Sequence, residues 1–484
     1  MNETFESVDV LIIGAGLAGI GGACQLRRQC PDHTFTVLES RAVSGGTWDL
    51  FRYPGIRSDS DMYTYSYSFK PWRDKSTIAD GHKILSYIRE AAADYDVEQH
   101  IRYQHKVVAA NWSDVDKRWH VTARRGDTAE SVTISCKFVF NCTGYYDYEQ
   151  GYTPAFAGMD DFNGRVLHAQ HWPEDLDYHD KRVIVVGSGA TAVTLVPTLS
   201  KDTASLVMLQ RTPTYIATVP SEDPLAKKLR KWLPESWTFR LTRWKKVLFQ
   251  IYVYKLSRKR PDDLRRFMLG QVRQALGPDY DIKTHFTPPY NPWDQRLCAV
   301  PDGDMFKAIK QGRAEVITDH IERFNKTGIA LKSGAQLDAD IVILATGLNL
   351  QFAGGIEYSI NNEKVDYTKH FIYRGMMFSD VPNMAFTVGY TNSSWTLKTD
   401  LTSNYVCRLL KKMARGGFTS VTPRMKGSVE EMPLLDFDAG YVLRAREQFP
   451  KQGNRLPWKN YQDYIRDFIG LRLRSLRDQE LEFR

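Results

Sequence analysis

Val8-Asp9-Val10-Leu11-Ile12-Ile13-Gly14-Ala15-Gly16-Leu17-Ala18-Gly19 joins a short β-rich apolar run to the pattern G-x-G-x-x-G. A helical stretch follows to Cys30, and Thr34 to Leu38 reads as a second strand ending at Glu39. Gly14 allows a tight reversal, Gly16 lets a pyrophosphate approach the backbone, and Gly19 lets the helix pack closely on the strand. Ala18 lies in the same turn. The helix N-terminus then faces the phosphates. Glu39 stands 20 residues after Gly19, the spacing of a carboxylate that holds a ribose hydroxyl. The pattern alone is weak. Strand, turn, helix, strand and carboxylate in this order predict a dinucleotide-binding unit.

A second unit lies downstream. Arg182 to Val186 reads as an apolar strand, followed by Gly187-Ser188-Gly189-Ala190-Thr191-Ala192, the G-x-G-x-x-A form of the same turn. Its next strand, Ser205 to Leu209, ends in Gln210-Arg211-Thr212. The two units differ at the ribose position. A carboxylate suits a free 2′-hydroxyl and repels a 2′-phosphate, whereas a guanidinium binds that phosphate through charge-assisted bonds. Glu39 therefore points to FAD in the first unit, and Arg211 to NADPH in the second.

Phe138 to Gly144 and Ile341 to Gly347 are both apolar strands ending in Thr-Gly, which fits a chain that leaves one domain and returns to it. Gly151 to Gly158 reads as a linker, and Ile101–Ala110, Trp112–Ala123 and Val132–Asn141 as a β-meander. Val316–Ala330 and Leu337–Leu344 read as further strands. The expected fold class is α/β, with two Rossmann-like domains. The FAD domain takes residues 1–146 and 339–484, the NADP domain 147–218 and 296–338, and a helical insertion 219–295.

Composition sets outer limits. The 484 residues are 42% hydrophobic and 25% charged, with a net charge of +8, an ordinary globular balance that suits anionic ligands. The six cysteines form no C-x-x-C and no zinc spacing, so no metal site is expected. The acidic stretch Met1 to Asp9 lacks the apolar core of a signal peptide, and no run reaches the ~18 apolar residues of a membrane span. A cytoplasmic protein with reduced thiols is expected, and no nucleic-acid module is present.

Two further motifs narrow the reading. Phe162 to Pro173 reads F-x-G-x-x-x-H-x-x-x-W-P, and Gly46 to Asp59 reads G-x-W-x-x-x-x-Y-P-G-x-x-x-D. Over essentially its full length the chain resembles type I Baeyer–Villiger monooxygenases, in their ethionamide-activating branch. The resemblance implies NADPH- and O2-dependent conversion of ketones to esters or lactones through a flavin C4a-peroxide. Oxidation of sulfides or thioamides accompanies it, so the partners are a small ketone or sulfur-containing substrate and O2. It further implies that Arg296 stabilises developing negative charge and that Asp59 pairs with Arg296. Thr47, Trp48, Asp49, Arg57, Ser58 and Val107 join the FAD contacts, with Gly46 in the second glycine turn. Asn392, Ser394 and Trp395 are further candidates near the flavin. Disulfide reductases place redox cysteines just after that turn; Trp48 stands there instead. N- and S-oxygenating relatives carry tyrosine and a basic residue where this chain has Trp172-Pro173. His168 reads as a structural histidine of the domain crossing, and Gln295 replaces the lysine that many family members carry before the arginine. The alternatives are an N- or S-oxygenating flavin monooxygenase and a membrane-associated redox-sensing flavoprotein.

The insertion is basic. Lys227 to Arg273 holds fifteen Lys or Arg against three acids, with apolar residues interleaved at helical spacing, among them Trp232, Trp237, Leu241, Trp244, Leu248 and Tyr252. The favoured reading is a helical lid whose apolar face packs on the body. Peripheral contact of the basic helices 222–273 with an anionic membrane is the alternative.

Overall fold

A computed structural model describes residues 6–126, 128, 130–435 and 438–484. The first five residues of the acidic N-terminal stretch lie outside that range. Two sheets carry the fold, the first mixed and the second all parallel. In the first, the strand Glu6–Ile13 pairs in parallel with Phe35–Leu38 on one side and Ser131–Asn141 on the other. Ile101–Arg102 extends one edge, and Met384–Phe386 pairs with the far end of Ser131–Asn141. Val10 to Ile13 and Phe35 to Leu38 are buried without alternation, as expected of strands covered on both faces.

Ser131–Asn141 serves two structures. Its first half pairs antiparallel with Arg118–Arg125, which pairs with His105–Ser113. Its second half runs parallel to Glu6–Ile13 in register Ile13↔Asn141. The expected meander is present with two changes: Ile101–Arg102 pairs with Phe35–Leu38 instead of joining its first strand, and Trp112 belongs to that first strand, facing Trp119 across the turn. The stretch 316–330 is not one strand. It contains the end of Glu315–Thr318, then Ile321–Asn325, then the start of Gly328–Leu331, with antiparallel pairing between the last two.

The second sheet runs Glu315–Thr318, Ser205–Gln210, Arg182–Val186, Ile341–Leu344, Arg165–His168, all parallel. Ile341–Leu344 therefore belongs to the NADP domain, and the return to the FAD domain starts after Gly347 rather than at 339. The reason is symmetrical. The strand before a Thr-Gly end belongs to the domain being left, as Ser131–Asn141 does before Thr143-Gly144. A four-residue buried apolar run suits either sheet equally, so composition did not separate them. The two crossings lie side by side, with Tyr146–Gly151 antiparallel to Leu348–Leu350. Residues 162–173 form the sheet-edge strand Arg165–His168 and the short 3-10 turn Ala169–His171.

The insertion is helical: Pro224–Leu229, Glu235–Lys259, Pro261–Leu276 and Ile282–Phe286. Pro261 lacks an N–H and opens its helix, which breaks the run after Lys259. The lid reading needs correction. Glu235–Lys259 buries Thr238, Phe239, Thr242, Arg243 and Val247 against the body. Trp237, Leu241, Trp244, Leu248 and Tyr252 face outward.

Candidate active site

The first glycine turn is closed by its own backbone. A Cβ on Gly19 would lie 1.8 Å from the Gly14 carbonyl oxygen, so only glycine permits this packing. The helix Leu17–Gln29 begins at Gly16 with no side-chain cap and no acid in its first turn. Its N–H groups are left for an anion. Glu39 is buried; its Oε2 accepts the Ala15 N–H at 2.7 Å and its Oε1 the Arg41 N–H at 3.0 Å, which fixes the carboxylate beside the turn. The His105 N–H donates to the Glu39 carbonyl at 2.8 Å, so the strand bearing Val107 passes this end of the site.

The second turn repeats the arrangement. The Gly187 N–H donates to the Leu209 carbonyl at 2.8 Å, and the helix Ala190–Leu199 starts uncapped at Gly189, with Ala192 buried in its first turn. Ser188 Oγ bonds the Thr212 carbonyl and Thr214 Oγ1, both at 2.9 Å, so Ser188 and Thr212 brace the loop. Arg211 stands exposed at the strand end and makes no ion pair among the described residues. Two uncapped helix ends, one near a buried carboxylate and one near a free guanidinium, fit FAD and a 2′-phosphorylated nicotinamide dinucleotide respectively.

An open cleft of about 1590 Å³ of free space joins the two turns. Gly16, Ala18, Thr47 and Trp48 line it from the first domain, and Ala190 and Thr191 from the second. Arg57, Ser58, Asp59 and Arg296 stand between them. Of the remaining sequence candidates, Gly14, Gly19, Gly46, Glu39, Val107, Gly187, Ser188, Gly189, Ala192, Arg211 and Thr212 lie behind or beyond this lining.

Arg296 and Asp59 come together although 237 positions apart. Arg296 Nε lies 3.5 Å from Asp59 Oδ2. The Asp59 carboxylate holds the Arg296 guanidinium well above the usual arginine range. Ser58, buried, staples the Asp59 loop, its Oγ donating to the Ser60 carbonyl at 2.8 Å and accepting the Ser60 N–H at 3.0 Å. Arg296 precedes the strand Cys298–Pro301, which pairs in parallel with Ile216–Val219. The 42% of the Arg296 side chain left accessible opens onto the cleft, where a bound ligand would meet it.

Tyrosines wall this pair, and sequence reasoning missed them. Tyr145, Tyr146 and Tyr148 follow directly on Thr143-Gly144 and line the cleft, as does Tyr441. Burial pushes Tyr441 up to about 12 and Tyr145 well above the tyrosine range, so both stay protonated beside the arginine. The Asp438 N–H donates to the Asp294 carbonyl at 3.1 Å, which brings the helix Gly440–Ala445 to the Arg296 segment. The run of tyrosines after a domain-crossing Thr-Gly was a usable signal for the first three; Tyr441 had none.

Several candidates have other work. The Asp49 carboxylate is buried among Arg41 at 2.6 Å, Arg89 at 3.0 Å and Arg52 at 3.7 Å, and braces the second glycine turn from behind. Arg57 pairs with Asp304 of the other domain at 2.5 and 3.3 Å. The Trp395 ring packs at a tilt against Tyr145, 4.9 Å between centroids, on the cleft wall. Asn392 Nδ2 donates to the Gln462 carbonyl and Ser394 bonds Thr64, so these two frame the wall. His168 accepts the Gln170 N–H at Nδ1 and donates from Nε2 to the Gly347 carbonyl, both at 3.1 Å. Both ring nitrogens are thus engaged, one with its own turn and one with the second crossing.

Comparison with known proteins fits this geometry. The FAD-containing monooxygenase EthA of Mycobacterium tuberculosis is 52% identical over 480 residues, covering 99% of this chain and 98% of that protein. The chain belongs to the EthA-like FAD-containing monooxygenases. The probable FAD-binding monooxygenase AlmA of Acinetobacter baylyi is 47% identical, covering 99% of this monooxygenase and 96% of its own length. Family models for flavin-binding monooxygenase-like proteins and for NAD(P)-binding Rossmann-like domains match residues 53–229 and 12–74. A steroid monooxygenase bound to NADP superposes with TM-score 0.71 at 22% identity, covering 86% of this chain and 87% of that one. OTEMO in complex with FAD and NADP gives 0.69 at 23%, covering 86% and 88%. At such identity these two show the shared two-domain fold.

Proposed function

We propose that this EthA-like monooxygenase performs Baeyer–Villiger oxidation. A ketone, O2, NADPH and a proton give an ester or lactone, water and NADP+. The carbon–carbon bond beside the carbonyl breaks, and that carbon gains a bond to oxygen. FAD, held at the first turn, supplies oxygen activation, with NADPH as reductant at the second. The Arg296–Asp59 pair, set in a cleft between the two dinucleotide turns, carries the proposal.

Oxygen insertion builds negative charge on the ketone oxygen in the transition state. Arg296 presents a fixed cation to that charge, the kind of preorganised stabilisation that lowers such barriers most. Asp59 orients the guanidinium and balances its charge. Tyr145 and Tyr441, protonated, wall the site against bulk water and leave hydroxyl donors near the arginine. Oxygen transfer to the sulfur of a sulfide or thioamide is the accompanying activity we propose. It builds no charge on a carbonyl oxygen, so it depends less on Arg296.

A panel of cyclic and linear ketones, supplied to the purified holoenzyme with NADPH, tests the reading by product mass. Esters or lactones one oxygen heavier than their ketones, formed in proportion to NADPH consumed, are expected. Oxidation of amines or sulfides alone, or hydrogen peroxide as the sole product, would overturn it.

A further inference from the structure

The outward face of the inserted helix is apolar where solvent-facing helices are polar. Trp237, Leu241, Trp244, Leu248 and Tyr252 recur every three or four residues and stand 42% to 62% exposed. Trp232, 82% exposed, precedes them. The Trp244 ring meets Phe468 at 5.7 Å, which joins the stripe to exposed Ile469 and Leu473 of the segment Phe468–Leu473. A contiguous exposed patch of this kind marks a docking surface.

Cations rim it. A groove between this helix and Trp395–Gly416 is lined by Arg28, Arg240, Arg243 and Arg472 together with Trp244 and Phe468. Arg243 is buried and engaged: it donates to the Tyr63 and Ser66 carbonyls at 2.8 Å and faces Asp400 at 3.5 Å. Arg28, Arg240 and Arg472 lie over Phe69, Trp237 and Phe468 respectively. Among the described residues none of these three pairs with a carboxylate. Lys255 and Lys259 continue the stripe beyond Tyr252 on the same helix face.

We propose that this face docks on an anionic lipid surface, with the Trp237–Tyr252 stripe in the headgroup–acyl boundary and Arg28, Arg240 and Arg472 on lipid phosphates. Charge decides against a second copy as occupant. A two-fold contact would set this basic face against itself, with Arg28, Arg240 and Arg472 of one copy near the same three cations of the other. Tryptophan and tyrosine flanked by arginine suit the lipid–water boundary, where one end of the ring is apolar and the other wet. No described helix is long and apolar enough to cross a membrane, so the contact is peripheral.

Co-sedimentation of the holoenzyme with lipid vesicles tests this. Binding is expected to vesicles of phosphatidylcholine mixed with phosphatidylglycerol, with at least about tenfold less on phosphatidylcholine alone, and to weaken as salt rises. Arg240→Ala and Arg472→Ala should each weaken binding about fivefold, the change that ~1 kcal/mol per basic residue gives. The double variant Trp237→Glu/Leu241→Glu should lose binding while keeping FAD content and NADPH oxidation at the unaltered rate. Absence of sedimentation with the mixed vesicles, equal binding to both vesicles, or full binding by the double variant would overturn the proposal. So would a wild-type dimer in solution that Trp237→Glu dissociates, which would assign the face to a second copy.

Discussion

Arg296 and Asp59 form an ion pair whose worth changes with its surroundings. At 3.5 Å the attraction is about 5 kcal/mol at an effective dielectric of about 20, and about 1 kcal/mol in water. The open cleft sits nearer the second figure, and a bound flavin that excludes water moves it toward the first. Asp59→Asn should therefore leave FAD content unchanged and slow ketone turnover about 10- to 100-fold, read in steady-state kinetics of the holoenzyme. His168 obeys a different logic. Burial holds its imidazole below the usual histidine range, so the folded form keeps it neutral. The unfolded chain takes up the proton below about pH 6.5 and the folded chain does not. The stability linked to His168 is thus complete above that pH and is lost as pH falls toward the folded value. His168→Gln should show a shallower loss of Tm between about pH 7 and about pH 5 by thermal unfolding, with ketone kcat within a few fold of the unaltered enzyme. Asp59 could be singled out as a candidate because it closes a motif of fixed spacing, and Arg296 only through the family resemblance. Tyr441 was not, since it reaches the cleft only when the C-terminal segment folds back onto the Arg296 loop.

Turns and strands were legible where local chemistry forces them. The Gly14 to Gly19 turn is one case, and the 1.8 Å approach of a Gly19 Cβ to the Gly14 carbonyl explains why. Gly19→Ala should lose most bound FAD, measured as the ratio of flavin to protein absorbance after purification, because the helix start must move away from the strand. Gly55, in the Tyr53-Pro54-Gly55 step of the second motif, is a second case, because proline fixes φ and glycine allows the reversal. Its φ is +75°, and a Cβ there would lie 2.1 Å from Thr198 Oγ1 of the other domain's helix. Partner choice was less legible. Ile341–Leu344 is apolar enough for either sheet, and its neighbours Arg182–Val186 and Arg165–His168 are set by topology. In Glu235–Lys259 the three-to-four spacing announced a helix but not its orientation. Arg243 finds carbonyl and carboxylate partners in the body and Thr238 and Thr242 are buried beside it, leaving the tryptophan face outside.

At the scale of the molecule, two domains share one cleft because the chain crosses between them twice, at adjacent places. The ribbon of Tyr146–Gly151 and Leu348–Leu350 holds the crossings together, His168 bonds Gly347 within them, and the Arg57–Asp304 pair ties the domains on the side of the cleft. The two dinucleotide turns thus face one arginine that neither domain's motif contains. The sequence order of these parts announced two units and a linker; the pairing of Asp59 with Arg296 was legible only through the family resemblance, since no spacing joins positions so far apart. Arg296→Ala, assayed with a converted ketone for ester formed and NADPH consumed, tests the central claim most directly. Ester formation should fall at least about 100-fold, the loss expected when one preorganised charge stabiliser is removed, while FAD stays bound and NADPH is still consumed. A variant that forms ester at the unaltered rate would contradict the account.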